Sequence, residues 1–314
     1  MSLTDGAADA SDAGTHARSL HRRAVVLMVI APTLWSIAGV VTRHLSPELQ
    51  ANGRFEITFW RSFFAALTVA GFLLFVRRDL IGSIRRAGAP GLLSGAMWAT
   101  MFVCFMLALT LTSTANTLIV LAVAPLTTAF LAWALLRAPI APRTWLAIGI
   151  AMAGIVWMFA GSLRIESPSS VLGMLIAFGA PVASAVNVVI LKKRGHAVDL
   201  VPAVFLGGVL SAGLMLPLAW PFIASSADIA LLALLGFAQL GLPCMLLVIA
   251  ARHLAATEVA LLALLEVVLG PLWAWLGAGE VPAPTTLSGG LLVIGALLIN
   301  ELARAPRPAR SAAP

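Results

Sequence analysis

Charged residues are scarce in this 314-residue chain, at 11% of the sequence, whereas apolar residues make up 61%. A soluble domain typically carries about 25% charged residues, because its surface faces water. This shortage excludes an ordinary water-facing surface. The composition instead predicts a protein whose surface is covered by the lipid bilayer.

Cysteine and tyrosine are also rare or missing. The two cysteines, Cys104 and Cys244, lie within apolar segments, which excludes a disulfide scaffold and favours two small buried side chains. Tyrosine is absent, so we expect the nine tryptophans to fill the aromatic positions at the membrane interfaces.

Signatures of several function classes are missing. No G-x-x-x-x-G-K-[ST] loop occurs, so ATP-driven transport is not indicated. No Ser-His-Asp or paired-carboxylate arrangement is visible. His44, His196 and His253 lie at loops or span ends, and none of the three shares a span with a second ligand at metal spacing. We therefore expect no catalytic residues, no metal site and no cofactor. The net charge of +7 does not indicate a nucleic-acid partner, because the basic residues are scattered among apolar segments.

The chain contains ten apolar segments of about 20 residues, the length that an α-helix needs to cross a bilayer. Their polarity does not alternate in segments of about ten residues, which excludes a membrane barrel. We therefore predict an all-α integral membrane protein. The predicted spans are 24–44, 57–76, 91–111, 115–136, 144–161, 170–191, 201–222, 228–251, 256–277 and 284–302.

The charges between the spans predict an orientation. If the N-terminus is cytoplasmic, sixteen of the twenty Lys and Arg residues lie on the cytoplasmic side, and only Arg43, Arg54 and Arg164 lie on the other. This asymmetry places both termini in the cytoplasm. Residues 1–23 and 304–314 are predicted to be cytoplasmic tails, the first of them disordered. We expect the protein in the cell's inner membrane.

The second half of the chain repeats the first at an offset of 142 residues, so that Ala132-Trp133 corresponds to Ala274-Trp275 and Pro142 to Pro284. Each half holds five spans, an odd number, so the second half enters the membrane from the opposite side. We predict two inverted five-helix repeats at 24–161 and 170–303, joined by a linker at 162–169. Such repeats are typical of secondary transporters, whose substrate site lies between the repeats near the membrane midplane.

Three stretches carry a resemblance to a known family: APTLWSIAGVVTRHL in span 1, FWRSFFAAL in span 2, and ATEVALLALLEVVLGPLWAWLGAGEVPAPTTLSGGLLVIGALL in spans 9 and 10. They are similar to the EamA type of the drug/metabolite transporter superfamily. The resemblance implies ten helices, an inverted repeat and the export or uptake of small metabolites or drugs.

The sequence departs from the family pattern in two places. The first repeat has Arg137-Ala138 where a Gly-Glu pair would mark the loop, while the second repeat keeps Gly279-Glu280. Val267 replaces the proline that often follows the glutamate at the position of Glu266. This second departure argues against any mechanism that relies on a helix break caused by proline in span 9.

Glu266 is the most informative residue for function. It lies near the middle of span 9, where an ionised side chain costs roughly 2.5–3.5 kcal/mol on insertion scales. It should therefore face the bundle interior, a partner or a water-filled cavity. The functional hypothesis is a protonatable coupling group or a ligand for a substrate amine. The alternative is a packing carboxyl that is hydrogen-bonded to a neighbour.

Arg61 lies within span 2, near its outer end. It is a candidate for holding an anionic substrate group, and it could instead pair with Glu56 or extend its head to the interface. Other candidates for substrate binding are amides and residues well inside the spans, each with helix packing as the alternative. They are Asn187, Gln239, Asn116, Trp35, Ser36 and Trp98.

These observations predict a secondary transporter that moves a small metabolite or drug by alternating access. Export is favoured over import, and protons are a candidate coupling partner. One alternative is a membrane-embedded lipid-modifying enzyme, which would need clusters of Asp, Glu or His. The other is a non-transporting membrane scaffold, against which Glu266 and the inverted repeat both argue.

Overall fold

The structure is a computed structural model that describes residues 3–160, 168–195, 197–279 and 283–302. Most of the predicted linker 162–169, Glu280 and the predicted tail 304–314 lie outside the described residues. All regular elements in the described part of the chain are helices. They are α1 (Leu3–Trp35), α2 (Ala38–Thr42), α3 (Pro47–Asn52), α4 (Arg54–Phe75), α5 (Leu80–Leu111), α6 (Thr114–Leu121), α7 (Ala124–Leu136), α8 (Pro142–Phe159), α9 (Pro168–Arg194), α10 (Val201–Ala219), α11 (Ser226–Leu234), a π-helical segment (Leu235–Gly241), α12 (Leu242–Ala250), α13 (Ala256–Ala263), α14 (Leu265–Ala278) and α15 (Pro284–Leu302).

Ten helical stretches of the described chain are long and apolar enough to cross a membrane, which confirms the predicted number. Spans 1, 4, 8 and 9 each combine more than one helical element. In order, spans 1 to 10 are Arg18–Thr42, Arg54–Phe75, Leu80–Ala108, Asn116–Leu136, Pro142–Phe159, Pro168–Arg194, Val201–Ala219, Ser226–Ala250, Ala256–Gly277 and Pro284–Glu301.

The N-terminal segment differs from its prediction. Residues 1–23 were expected to be disordered, but α1 begins at Leu3 and runs without interruption into span 1. Five alanines between positions 7 and 17 favour the helical conformation. Because the segment extends a helix that the membrane span already forms, it needs no nucleus of its own.

One end of the bundle, here called the basic end, brings together the loops after spans 2, 6 and 8. Arg77 Nη2 lies 3.3 Å from Asp199 Oδ2, and Arg252 Nη2 lies 3.0 Å from Asp199 Oδ1. Lys192 Nζ donates to the carbonyl oxygen of Ala251 at 3.0 Å. Loops that the charge pattern assigns to one side of the membrane therefore meet at one end of the molecule.

The opposite end, here called the far end, joins the loop after span 1 to the loop after span 7. Glu56 accepts hydrogen bonds from the backbone N–H groups of Ile223 at 2.8 Å and Ala224 at 3.0 Å. Ser46 donates to Asp228 through its N–H at 2.7 Å and its hydroxyl at 2.9 Å. Glu56 and Asp228 are both only 2% exposed, so this junction is buried.

The two halves of the chain are interleaved in the bundle. Span 2 packs along span 7, span 5 along span 10, span 3 along spans 6 and 7, and span 4 along span 6. Each span of the first half can be matched with the fifth span after it, so that span 1 corresponds to span 6. Under this matching, the contact of span 3 with span 6 corresponds to a contact of span 8 with span 1. The contacts of span 3 with span 7 and of span 4 with span 6 correspond to those of span 8 with span 2 and of span 9 with span 1. All three corresponding contacts are present. The contacts between spans therefore recur when spans 1–5 are matched with spans 6–10.

Glycine allows the closest of these crossings. A Cβ atom on Gly154 of span 5 would lie 2.8 Å from the backbone carbonyl oxygen of Gly289 in span 10. A Cβ atom on Gly207 of span 7 would likewise collide with the Cβ of Trp98 in span 3. Small residues at such crossings let membrane helices approach closely enough for their backbones to touch.

Candidate functional site

Two spans lose regular α-helical geometry deep inside the bundle. Span 1 is interrupted between Trp35 and Ala38, where the N–H of Ile37 bonds back only three residues to Leu34. Span 8 widens into the π-helical segment Leu235–Gly241. Irregular backbone at membrane depth is tolerated where it is buried in protein or lines a cavity, and π-helical turns are frequent at functional sites.

Spans 4 and 9 are interrupted at equivalent places. The first helical piece ends at Leu121 in span 4 and at Ala263 in span 9, positions separated by the 142-residue offset of the repeat. In span 4 the break precedes Pro125, which has no N–H to continue the helix. The same offset places Val267 opposite Pro125, so span 9 breaks without the proline. Span 9 therefore has a helix break even though Val267 replaces the proline.

Arg61 lies at the centre of a buried polar cluster formed by spans 1, 2, 3 and 8. Its side chain is 4% exposed. Nη2 donates to Gln239 Oε1 at 3.0 Å, and Nη1 contacts Met106 Sδ at 2.8 Å. Gln239 in turn donates through Nε2 to the carbonyl oxygen of Trp35 at 3.3 Å. The π-helical segment of span 8 is thereby tied to the break in span 1 and to Arg61. We call this set of residues, with Glu266, the central cluster.

Glu266 joins the central cluster from span 9. It lies in the first turn of α14, directly after the interruption of the span. Its carboxylate is close enough to the guanidinium of Arg61 for the two charges to interact. Among the described residues the two side chains form no direct ion pair within 4.0 Å. The cluster therefore brings a guanidinium and a carboxyl group near each other without direct contact between them.

Ser36 links the same region to the second half of span 9. Its hydroxyl accepts a hydrogen bond from Trp273 Nε1 at 2.8 Å and donates to the carbonyl oxygen of Thr33 at 2.7 Å. Ser36 itself is buried, at 4% exposure. The break in span 1 thus contacts span 8 through Trp35 and span 9 through Ser36.

The remaining sequence candidates lie outside the polar contacts of the central cluster. Asn187 accepts a hydrogen bond from Ser94 at 2.6 Å, which joins span 6 to span 3. Asn116 lies at the start of span 4 and donates to Thr112 at 2.8 Å. Trp98 is 1% exposed and packs against neighbouring aromatic and aliphatic side chains, and within the described part of the chain its Nε1 has no hydrogen-bond partner.

The alternatives for Arg61 can be compared with its surroundings. Glu56 is not its partner in the structure, because that carboxylate accepts Trp60 Nε1 at 3.2 Å and the two backbone N–H groups at the far end. Burial at 4% exposure also leaves no path for the guanidinium to extend to the membrane interface. The structure therefore places Arg61 as an interior cation.

Sequence reasoning missed three neighbours of the central cluster: Met106, Trp273 and Cys244. Cys244 had been interpreted as a small buried side chain, and it is 1% exposed. It also lies within reach of the charges of Arg61 and Glu266, with the Trp35 indole beside it. Apolar or weakly polar residues of this kind carry no signal in the sequence, because the lipid-facing and site-facing surfaces of a span have the same composition.

Comparison with known proteins gives three results. The sequence pattern of the EamA-like transporter family matches twice, over residues 22–160 and 171–301. The Pseudopaline exporter CntI of Pseudomonas aeruginosa, in strains UCBPP-PA14 and PAO1, is 28% identical over 285 residues, covering 89% of this chain and 96% of the exporter. A solved crystal structure of another protein shares the fold, with a TM-score of 0.74, 18% identity and coverage of 89% of this chain and 96% of the other.

The family match spans most of the chain and agrees with the ten membrane helices. It points to a multi-pass membrane protein that handles a small-molecule substrate, and to a transporter rather than an enzyme. The chain belongs to the EamA-like transporter family.

Proposed function

We propose that this protein exports a small metabolite by alternating access, with its substrate site at the central cluster. The observation that carries the proposal is the placement of Arg61 and Glu266. These opposite charges lie between spans of both halves, next to the interruptions of spans 1 and 9 and the π-helical segment of span 8. Secondary transporters build substrate sites from discontinuous helices at the interface of their repeats.

The arrangement of the halves supports alternating access. We infer that they are inverted repeats, since each contributes five spans and the contacts between spans recur under the matching of spans 1–5 with 6–10. The equivalent breaks in spans 4 and 9 support the same relation. When two similar halves have opposite orientations in the membrane, the inward-open and outward-open conformations can have similar free energies.

The charge asymmetry supports an orientation. The basic end joins three of the loops that the charge pattern assigns to the cytoplasm, so we assign it to the cytoplasm, with both termini there and the protein in the inner membrane. The far end then faces outward. The direction of transport is inferred from the similarity to the Pseudopaline exporter CntI.

The charges of the central cluster indicate what the substrate carries. A buried guanidinium recognises carboxylate or phosphate groups, because its planar donors match their oxygens. A buried carboxylate recognises an amine. A substrate with both groups would satisfy Arg61 and Glu266 together, and the Trp35 indole offers it an apolar or cation-binding face. We therefore infer a small zwitterionic metabolite.

Proton coupling is assigned to Glu266. In this mechanism the carboxyl takes up a proton when the site opens outward and releases it when the site opens to the cytoplasm, so that inward proton flow drives export. Arg61 cannot take this role, because a guanidinium stays charged. Glu266 is the acidic member of the central cluster and lies directly after the break in span 9.

Flux in proteoliposomes tests the proposal. Purified protein is reconstituted with and without a pH gradient, and the uptake of amino acids and other zwitterions is compared with that of neutral sugars and dicarboxylates. We expect zwitterion flux that a proton gradient accelerates. Absence of flux for every zwitterion would contradict the assignment of substrate class.

Two variants locate the substrate site and the coupling group. Arg61→Lys keeps the charge but loses the planar donors, and we expect substrate affinity to fall about tenfold or more. Glu266→Gln should remove the acceleration by the pH gradient while substrate exchange without a gradient persists. Glu48→Gln, an exposed glutamate in α3, is the matched control. If Glu266→Gln keeps the pH dependence of the unmodified protein, Glu266 is not the proton carrier.

A further inference from the structure

A second polar cluster lies at the basic end, away from the central cluster. His21 of span 1, Glu258 of span 9 and Glu301 of span 10 present ligand atoms that all lie within 4.8 Å of one another. Glu258 precedes Glu266 by eight residues, about 12 Å along a helix. The three residues come from three spans, so no spacing in the sequence reveals them. The expectation of no metal site relied on such spacing alone.

The geometry of the first two residues matches that of metal ligands. His21 Nε2 lies 3.2 Å from Glu258 Oε1. In a tetrahedral zinc site with bonds of about 2.0–2.1 Å, adjacent ligand atoms are separated by roughly 3.3 Å. The imidazole and the carboxylate therefore already have the spacing of two ligands of one ion, and Glu301 lies within reach as the third.

A contact of the second ring nitrogen of His21 orients its imidazole. Its Nδ1 lies 3.5 Å from the carbonyl oxygen of His253, while Nε2 points at Glu258. A metal-binding histidine almost always donates its second ring N–H to a carbonyl or carboxylate, which selects the tautomer and the ring orientation. The contact with His253 is of this kind, and it is independent of the distances among the three ligands.

Hydrogen bonds from neighbouring groups also orient the carboxylates of Glu258 and Glu301. Glu258 is 1% exposed, and its Oε2 accepts the backbone N–H of Ala255 at 3.0 Å, which directs Oε1 toward His21. Glu301 Oε1 accepts Asn300 Nδ2 at 3.4 Å. Each of the three side chains thus has a partner that orients it in addition to its neighbours in the cluster.

We propose that His21, Glu258 and Glu301 bind a divalent transition-metal ion of the zinc type. One imidazole nitrogen and two carboxylate oxygens are a donor set that zinc accepts, whereas calcium and magnesium prefer oxygen ligands throughout. Three protein ligands leave a position for water. The ion links span 1 to spans 9 and 10, and so holds parts of both halves together at the basic end.

Metal binding is measured directly on the full-length protein. The protein is purified without a polyhistidine tag, and Zn²⁺ is titrated in competition with a chromophoric chelator. Co²⁺ replaces Zn²⁺ in a parallel sample, because tetrahedral Co²⁺ has strong visible absorption bands. We expect one saturable Zn²⁺ site and a tetrahedral Co²⁺ spectrum. A protein that shows neither overturns the proposal without the need for any substitution.

Two variants test the ligands at their more exposed positions. His21→Asn and Glu301→Gln should each weaken Zn²⁺ binding at least about tenfold, whereas His44→Asn, in the loop after span 1, should leave it unchanged. Equal affinity in all three variants would identify the binding as unspecific. Weakening in only one of the first two would overturn the three-ligand site. Because binding is measured without transport, these results are independent of the proposed function.

Discussion

The two ends of the bundle join the same two halves of the chain by different chemistry. At the basic end, Arg77 meets Asp199 through an ion pair whose side chains are 51% and 37% exposed. At the far end, Glu56 and Asp228 are each 2% exposed. Their carboxylates accept hydrogen bonds from backbone N–H groups and hydroxyls, which belong to the other half of the chain or to their own helix. One junction is solvated, and the other is buried.

The difference predicts which end separates more easily. An exposed ion pair contributes about 0–1 kcal/mol, because water already solvates both charges. Hydrogen bonds to a charged group contribute about 1.5–3 kcal/mol each, and a buried carboxylate that loses them is left without solvation. The far-end junction should therefore open at a greater cost than the junction between Arg77 and Asp199 at the basic end. A cleft of about 350 Å³ already reaches the basic-end junction, lined by Arg77, Ser83, Arg86, Ala197, Val198 and Asp199.

The largest expected effect comes from Glu56→Gln at the far end. An amide keeps one acceptor oxygen but presents an NH₂ group to the two backbone donors of residues 223 and 224, so at least one hydrogen bond is lost. We expect a loss of stability of about 2 kcal/mol, measured by thermal unfolding in detergent. Hydrogen–deuterium exchange of the loop after span 7 should rise at the same time.

Glu48→Gln is the control for this change, because Glu48 lies at the same end and is exposed. It should alter neither the unfolding temperature nor the exchange of the loop. If Glu56→Gln behaves like this control, the far end is closed by other contacts and the contrast between the two ends fails.

A smaller effect is expected at the basic end. A double-mutant cycle with Arg77→Gln and Asp199→Asn isolates their ion pair from the other contacts of Asp199, which also pairs with Arg252 and accepts the N–H of Val201. The coupling free energy should be below about 1 kcal/mol and should vanish at high salt. Arg85→Gln, an exposed neighbour, is the control. A coupling that resists salt would show that this junction is not solvated.

The smallest effect concerns the charge of Asp79, at the same end. The hydrogen bond from Arg86 Nη1, at 2.9 Å, lowers the pKa of the Asp79 carboxyl, and the backbone N–H of Gly82 adds to this. A carboxyl whose pKa is lower in the folded state stabilises the fold above its unfolded pKa, and this contribution is lost as the pH falls through the folded pKa.

The variant Asp79→Asn tests this contribution, since asparagine can still cap the start of α5. It should lower the unfolding temperature slightly at neutral pH. The difference from the unmodified protein should shrink as the pH falls below about 4 and disappear once the pH is below the lowered pKa of Asp79. A difference that persists in acid would assign the effect to the cap rather than to the charge.

Much of the fold follows from the sequence, because few backbone structures can span a lipid bilayer. Ten apolar segments of spanning length predicted the ten spans, and the loop charges grouped the loops that meet around Asp199. The interleaving of the halves could not be predicted. Lipid-facing and core-facing residues are both apolar, so a membrane helix shows no stripe that identifies its neighbours.

The central cluster was predictable only in part. Glu266, Arg61, Gln239, Trp35 and Ser36 meet near the interruptions of the helices, whereas Asn187, Asn116 and Trp98 pack elsewhere. Sequence position gives the depth of a residue in the membrane but not the side of the helix on which it lies. Their roles in transport stay predictions until flux is measured.

The missing proline of span 9 has a consequence for motion. In span 4 a continuous helix would lack one backbone hydrogen bond at the break, because Pro125 has no proton to donate. In span 9 the equivalent Val267 does have one, and it is given to the carbonyl oxygen of Leu264 at 3.0 Å. Straightening the interruption next to Glu266 would therefore cost no hydrogen-bond donor, whereas straightening its counterpart would leave one hydrogen bond unmade. Of the two equivalent breaks, the one beside Glu266 should be the easier to straighten.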